Sequence, residues 1–280
     1  MRLDAAIAKQ LRTTRAHAKE LILSGNVSHS GQVYTKPSQD ISEDISWDIT
    51  EVTKPHHSIN LETLYEDNDI KVINKPANML VHPTSAHQAE PTVVDAIRHE
   101  TTDDDGVRPG IVHRLDRNTS GLIILAKSKR AKEFMQRQFA DRKVQKTYLA
   151  LVIGHLNEPK AVIKVPLGRS KNHPLKRVAD PDGKTAETAY TVLESIGNYD
   201  LVEAKPATGR THQLRAHFAH LGHPIAGDKL YGADSLLNLG RYFLHAAHLE
   251  FDAPNGTHVN VEAPLPKELE VALQKVRSRV

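Results

Sequence analysis

The chain contains no cysteine, which removes disulfide frameworks, thiol nucleophiles and the cysteine-bearing zinc site of nucleobase deaminases together. No apolar run approaches the roughly 18 residues of a membrane span, and the opening residues MRLDAAIAKQ hold no signal-peptide core. A cytoplasmic protein without a membrane partner is expected. Neither sign of charge is in large excess: 37 Lys and Arg against 34 Asp and Glu leave a net charge of +3, which suits a polyanion gripped locally rather than coated. Cofactor signatures are missing as well. Gly183-Lys184-Thr185 lacks the earlier glycine of a phosphate loop, and Asp103 to Asp105 lacks calcium-loop spacing. His212, His217, His220 and His223 have neither HExxH spacing nor a glutamate partner, so neither a metal nor an organic cofactor is expected.

What is present divides unevenly. A chain of 280 residues can form one large domain with a small one beside it. Leu3, Ile7 and Leu11 share one helical face and Ala18, Leu21 and Ile22 another, predicting two short amphipathic helices. Thr13 or Thr14 can cap the second, and Gly25 can close it in the left-handed conformation. A small hairpin around Ser30-Gly31 follows. Residues 1–50 form this small α/β module. Residues 51–60 read as a linker, with His56-His57 as ordinary loop. Residues 61–280 form the larger domain, whose strands, turns and helices predict an α+β fold with a mixed, largely antiparallel sheet. Within it, Leu122 to Ala126 reads as a buried strand. Ser128 to Phe139 reads as a helix with Ala131, Phe134, Met135 and Phe139 on one face. Lys146 to Val152 reads as a strand with Tyr148, Ala150 and Val152 on one side. The turn Asp180-Pro181-Asp182-Gly183 introduces another strand over Thr185 to Leu193.

Two polar clusters stand out. In RPGIVHRLDRNTSGLIILAK, residues 108–127, one carboxylate, Asp116, sits in a turn crowded with Arg114, Arg117, Asn118, Thr119 and Ser120. An acid among cations favours its charged form, and the buried strand behind it gives the turn a rigid base. In TGRTHQLRAHFAHLGHPIAGDKLYG, residues 208–232, Leu214, Phe218 and Leu221 form a helical stripe stopped by Gly222 and Pro224, with Arg210 just ahead.

Several segments occur in order: INKPANMLVHP, RPGIVHRLDRNTSGLIILAKS, QKTYLALVIG, GKTAETAYTVLE, the cluster from Thr208 to Gly232, and FLHAAHLEF with APLPKEL. Together they resemble an RluA-type pseudouridine synthase from Leu61 to the end. RLDAAIAKQL, TTRAHAKELILSGNV and the hairpin after them are similar to an S4 RNA-binding domain, though His29-Ser30-Gly31 replaces the usual VNG and Glu43-Asp44 the usual Gly-Asp. The resemblance implies uridine isomerisation in RNA by base flipping in a central cleft. It implies a ribosomal RNA substrate, 23S in particular, ahead of transfer RNA, and monomer is the default state. Asp116 maps onto the essential aspartate, Arg210 onto the arginine paired with it, and Tyr148 onto the tyrosine that stacks on the uracil. Arg114 matches an arginine that fills the space of the extruded base. Arg117, Lys75, His82 and Arg215 are expected to contact RNA in the large domain, with support of the site as the alternative role of Lys75 and His82. Arg15 and Lys19, with Arg12, are expected to do so in the small module. His113, Thr119, Ser120 and Gly121 read as turn architecture. An RNA-binding ribosome assembly factor without activity is the alternative in another class; against it, Asp116, Tyr148 and Arg210 are all present. A glycosidase-like hydrolase is disfavoured because such enzymes use two flanking carboxylates.

Overall fold

The structure, a computed structural model, describes residues 1–11, 13–23, 25–42, 45–50, 59–83, 90–105, 108–234, 236 and 239–279. Arg12, His56, His57 and most of the expected linker lie outside the described residues. The first segment contains α1 (Leu3–Gln10), α2 (Arg15–Leu23), β1 (Val27–His29), β2 (Gln32–Val33) and β3 (Asp48–Ile49). The Thr14 hydroxyl accepts the His17 N–H at 3.3 Å, capping α2. Gly25 adopts the left-handed φ of 72° that ends the helix. Ser30 and Gly31 both have positive φ, 49° and 79°, the conformation that matches a two-residue hairpin loop to the twist of its strands. Leu3, Ile7, Ala18, Leu21, Ile22, Val27 and Trp47 form a separate small core in this segment.

The remaining elements are β4 (Thr63–Glu66), β5 (Ile70–Lys75), α3 (Val93–Ile97), β6 (Ser120–Ala126), α4 (Lys129–Ala140), β7 (Gln145–Ile153), β8 (Lys160–Lys164), β9 (Leu167–Arg169), β10 (Arg177–Ala179), β11 (Glu187–Ile196), β12 (Tyr199–Pro206), α5 (Gln213–His220), β13 (Leu244–Asp252), β14 (His258–Glu262) and α6 (Lys267–Arg277). Eight of the strands run in the order β4-β5-β6-β13-β7-β12-β11-β8, with β14 added beside the second half of β13. Every pairing is antiparallel except β6 with β13. This is the α+β, largely antiparallel architecture that the sequence pattern predicts.

Alternation along the strands distributes the helices. In β6, Leu122, Ile124 and Ala126 pack with Ala131 and Met135 of α4, while Ile123 and Leu125 pack with Val93, Val94 and Ile97 of α3. Both faces are covered, so the strand reads as an unbroken apolar run. In β7, Ala150 and Val152 meet Leu214 and Phe218 of α5, and Leu151 meets Leu269, Ala272 and Leu273 of α6. Leu221, expected in the apolar stripe of α5, is 39% exposed. The helix ends one residue earlier, and Leu221 serves only as its C-cap.

Candidate active site

A cleft of about 370 Å³ opens between the C-terminal end of α4 and the N-terminal end of α5. Its walls bring the two polar clusters together. Arg114, Asp116 and Thr119 come from the loop before β6, Phe139 from α4, and Lys146 and Tyr148 from β7. Arg210, His212 and Arg215 come from the loop and first turn at α5.

The loop that carries Asp116 is fixed from below. Lys75 is fully buried, and its ammonium donates to the carbonyls of Pro76, Met79 and Arg117 at 2.8, 2.9 and 3.1 Å. One lysine thus ties the end of β5 to the residue after Asp116. Burial, together with the charge of Arg241, pulls its pKa down to about 7. Thr119 and Tyr242 share a hydroxyl hydrogen bond at 3.2 Å, and the Ser120 hydroxyl meets His245 Nδ1 at 2.9 Å. The Ile124 N–H donates to His113 Nε2 at 2.8 Å; burial keeps this imidazole neutral, with a pKa near 3. Gly121 has φ 111°, and a Cβ there would collide with the Ala246 carbonyl across the parallel strand pair. His113, Thr119, Ser120 and Gly121 thus shape the turn, the two hydroxyls meeting the side chains of Tyr242 and His245.

The cation beside Asp116 is Arg215, not Arg210. Arg215 Nη1 donates to Asp116 Oδ2 at 3.2 Å. The same guanidinium binds Asp228 through Nε at 2.6 Å and Nη2 at 2.9 Å, and it lies over the rings of Tyr242 and Tyr231 at 4.4 and 5.1 Å. Two rings and a buried bidentate carboxylate hold it in one orientation, and these hydrogen bonds raise its pKa despite burial. Arg210 is exposed and donates through Nε to the Thr185 carbonyl at 3.0 Å. Its backbone N–H donates to Gln213 Oε1 at 3.0 Å, so it belongs to the rim. The partner of Asp116 is therefore Arg215, expected from the sequence on RNA, and not Arg210, expected as the partner. Helical geometry explains this: Arg215 is inside the first turn of α5 and is buried against Asp228 and Tyr242, whereas Arg210 precedes the helix. Asp228 and Tyr231, in the GDKLYG segment, and Tyr242 went unassigned because each acts through Arg215, and sequence carries no sign of that packing.

Other expected contacts divide similarly. Lys75 is a buried brace rather than an RNA contact. His82 is 6% exposed, and burial with the nearby charges of Arg108 and Arg114 lowers its pKa to about 4, so it offers no positive charge to RNA at neutral pH. Arg114 is exposed, lines the cleft and makes no ion pair among the described residues. Arg117 points away to Glu90 at 2.6 Å. Arg15 is exposed and paired with Asp4 at 3.0 Å, and Lys19 is exposed.

His212 is held at a left-handed φ of 56° immediately before α5, a conformation rare for residues other than glycine and concentrated at functional sites. Its Nε2 lies 3.7 Å from Asp116 Oδ2 and its Nδ1 3.2 Å from the Tyr231 hydroxyl. Burial lowers its pKa. Tyr148 faces the same cleft, with its hydroxyl pKa raised by burial and then by the charge of Asp116, so it stays protonated at neutral pH. The arrangement sets a carboxylate, a fixed cation and an aromatic platform around a space suited to a planar base. Among the described residues no group of three or more His, Asp or Glu gathers as a metal set.

Similarity to known proteins extends over most of the chain. Residues 69–220 match the family described as RNA pseudouridylate synthase. The chain is 39% identical over 224 residues to the uncharacterized RNA pseudouridine synthase YlyB of Bacillus subtilis, covering 78% of this chain and 74% of that one. It is 36% identical over 293 residues to ribosomal large subunit pseudouridine synthase D of Zymomonas mobilis, covering 96% and 92%. The solved structure of human RNA pseudouridylate synthase domain containing 4 superposes with a TM-score of 0.63 at 27% identity, covering 77% of this chain and 93% of that one.

Proposed function

The chain belongs to the RNA pseudouridylate synthase family, and from that premise we propose that it isomerises a specific uridine in 23S ribosomal RNA, with Asp116 as the essential anion. It is an isomerase acting on RNA. The observation that carries the site reading is the Asp116 carboxylate, held at 3.2 Å by the immobilised Arg215 in a cleft it shares with Tyr148. Ribosomal RNA as the substrate is supported by the relative named ribosomal large subunit pseudouridine synthase D, which matches nearly the whole chain. The S4-like reading of residues 1–50 supports it too, with the linker at 51–60 and the catalytic domain at 61–280. A monomer acting in the cytoplasm fits this role.

The reaction rearranges atoms without adding any. The N1–C1′ bond breaks with its electron pair on uracil, the base turns, and C5 bonds to C1′; C5 then loses its proton and N1 gains one. A carboxylate beside C1′ meets the positive charge that develops there, whether it bonds covalently or acts through its field. Arg215 holds that carboxylate in place, and Tyr148 provides the face on which the base stacks. Extruding a base costs on the order of a few kcal/mol, and Arg114, exposed at the cleft mouth, fills the vacancy. Arg210, at the rim, contacts the RNA backbone.

The test uses large-subunit ribosomal RNA carrying tritium at uridine C5. Wild-type protein is expected to release the label and Asp116→Asn to release none. Full activity in the Asp116→Asn variant would overturn the reading. Label release from transfer RNA alone would move the substrate to that class, and free uracil as product would indicate hydrolysis.

A further inference from the structure

Lys146 has no role so far. It lines the cleft two residues before Tyr148 on β7, so both side chains leave the same face of the strand, about 7 Å apart. Their order along the wall follows the strand register: Tyr148 lies opposite Ala246 of β13, which also pairs with Gly121 at the start of β6, just after the Asp116 loop, whereas Lys146 lies opposite Leu249, farther along β13. Tyr148 is thus the nearer to the carboxylate and Lys146 the farther. The Lys146 ammonium is half-buried, with no hydrogen bond or ion pair among the described residues. Its ammonium lies 5.8 Å from the Phe139 ring, and its charge acts on the buried His113 beside that ring. Burial lowers its pKa to about 8, so it remains largely charged at neutral pH. A desolvated cation without a counter-ion is costly, and the weak ring contact offsets only part of that cost.

We propose that Lys146 reads the base: its ammonium donates to the carbonyl oxygen on the edge of the uracil farthest from the ribose, while the ring rests on Tyr148. This rests on the reading of Asp116 and Tyr148 given above. Lysine is a donor only. Uracil presents an oxygen acceptor at C4 where cytosine presents an amino donor, so the contact admits uracil and rejects cytosine. The same contact strengthens as the base departs with the electron pair of the N1–C1′ bond, because part of that charge reaches the ring oxygens. An interaction stronger in the transition state than in the ground state raises the chemical rate. Position favours the base over a phosphate as the partner, since Lys146 shares the face of the stacking residue inside the cleft rather than its rim.

The experiment measures single-turnover rates at saturating RNA, with uridine or 4-thiouridine at the target position, for the full-length protein, Lys146→Met and Lys146→Arg. Lys146→Met is expected to lower the uridine rate at least about tenfold with RNA affinity changed less than about twofold, the size of one lost charge-assisted hydrogen bond. Sulfur accepts hydrogen bonds poorly, so 4-thiouridine is expected to slow the wild type and Lys146→Arg but not to slow Lys146→Met further. An unchanged rate in Lys146→Met overturns the inference. So does a loss confined to RNA affinity, which marks a phosphate contact, or a 4-thiouridine penalty that persists without the lysine. Should Lys146→Met not fold, the penalty in Lys146→Arg decides alone: its presence supports base reading and its absence refutes it. Asp116→Asn in the same assay separates the two levels, because activity there would refute the site reading itself.

Discussion

Arg215 divides its guanidinium between two carboxylates and two aromatic faces, and each attachment limits what can replace it. Lysine keeps the charge but cannot bind Asp228 through two parallel donors while reaching Asp116 with a third nitrogen. Arg215→Lys is therefore expected to reduce kcat by about 100-fold, the scale of losing a preorganised charge contact, with little change in RNA affinity. Arg215→Ala leaves Asp228 buried without its partner, and denaturant unfolding should show a loss of about 3–5 kcal/mol. Arg210→Ala should affect mainly KM, because Arg210 stands at the rim and touches neither Asp116 nor the core. Steady-state kinetics on the three variants would separate the residue that holds the carboxylate from the one nearest it in the motif. Both arginines stand in one run of sequence, TGRTHQLR. Choosing between them requires knowing where the helix starts.

At the scale of elements, the site depends on how closely β6 approaches β13. Gly121 is the second residue of β6, just after the Asp116 loop, and Ala246 occupies the space where its side chain would be. Gly121→Ala combines a positive φ with a backbone collision, and thermal or denaturant unfolding is expected to show a loss of about 3 kcal/mol or more. The other wall of the cleft depends on α4. Ser128 accepts the Ala131 N–H at 3.2 Å at its start. Lys132 binds Asp103 and Asp105 at 2.7 and 2.8 Å and the Arg108 carbonyl at 2.9 Å, anchoring the chain that leads into the Asp116 loop. Ser128→Ala should cost about 1 kcal/mol of stability and leave activity per folded molecule unchanged, since no substrate-facing residue moves. The helix and its apolar face were legible from the spacing of Ala131, Phe134, Met135 and Phe139. The Lys132 anchor was not, because its carboxylate partners lie nearly thirty residues away in a segment whose composition suggests an ordinary solvated turn.

Across the whole molecule, buried histidines set the response to acid. Burial holds His82 and His245 near pKa 4 and His113 near 3, against 6.5 for a free imidazole. Below about 6.5 the unfolded chain takes up protons at these positions, and the folded chain does not until the pH approaches their lowered values. The unfolded state then holds more protons, so stability rises with pH across this window and is lost as pH falls from about 6.5 toward 4. Each such histidine contributes a slope of up to about 1.4 kcal/mol per pH unit. Denaturant titrations at several pH values should show this decline, and His245→Gln should flatten it by about one proton.

By itself, the sequence determined α1, α2, α4 and α5, the β1–β2 hairpin, the strands β6, β7 and β11, and the two polar clusters that line the cleft. Periodicity, turn residues and the Asp116 and Tyr148 motifs are properties of neighbouring residues, and local backbone geometry follows from them. The tertiary structure decided which arginine meets Asp116, that Lys75 and His82 are buried, and that Lys146 stands beside Tyr148 with no ion pair among the described residues. Those outcomes depend on contacts between residues far apart in the chain. Whether a cation is buried against carbonyls, locked between rings or left open to a substrate is settled only when the strands and helices pack.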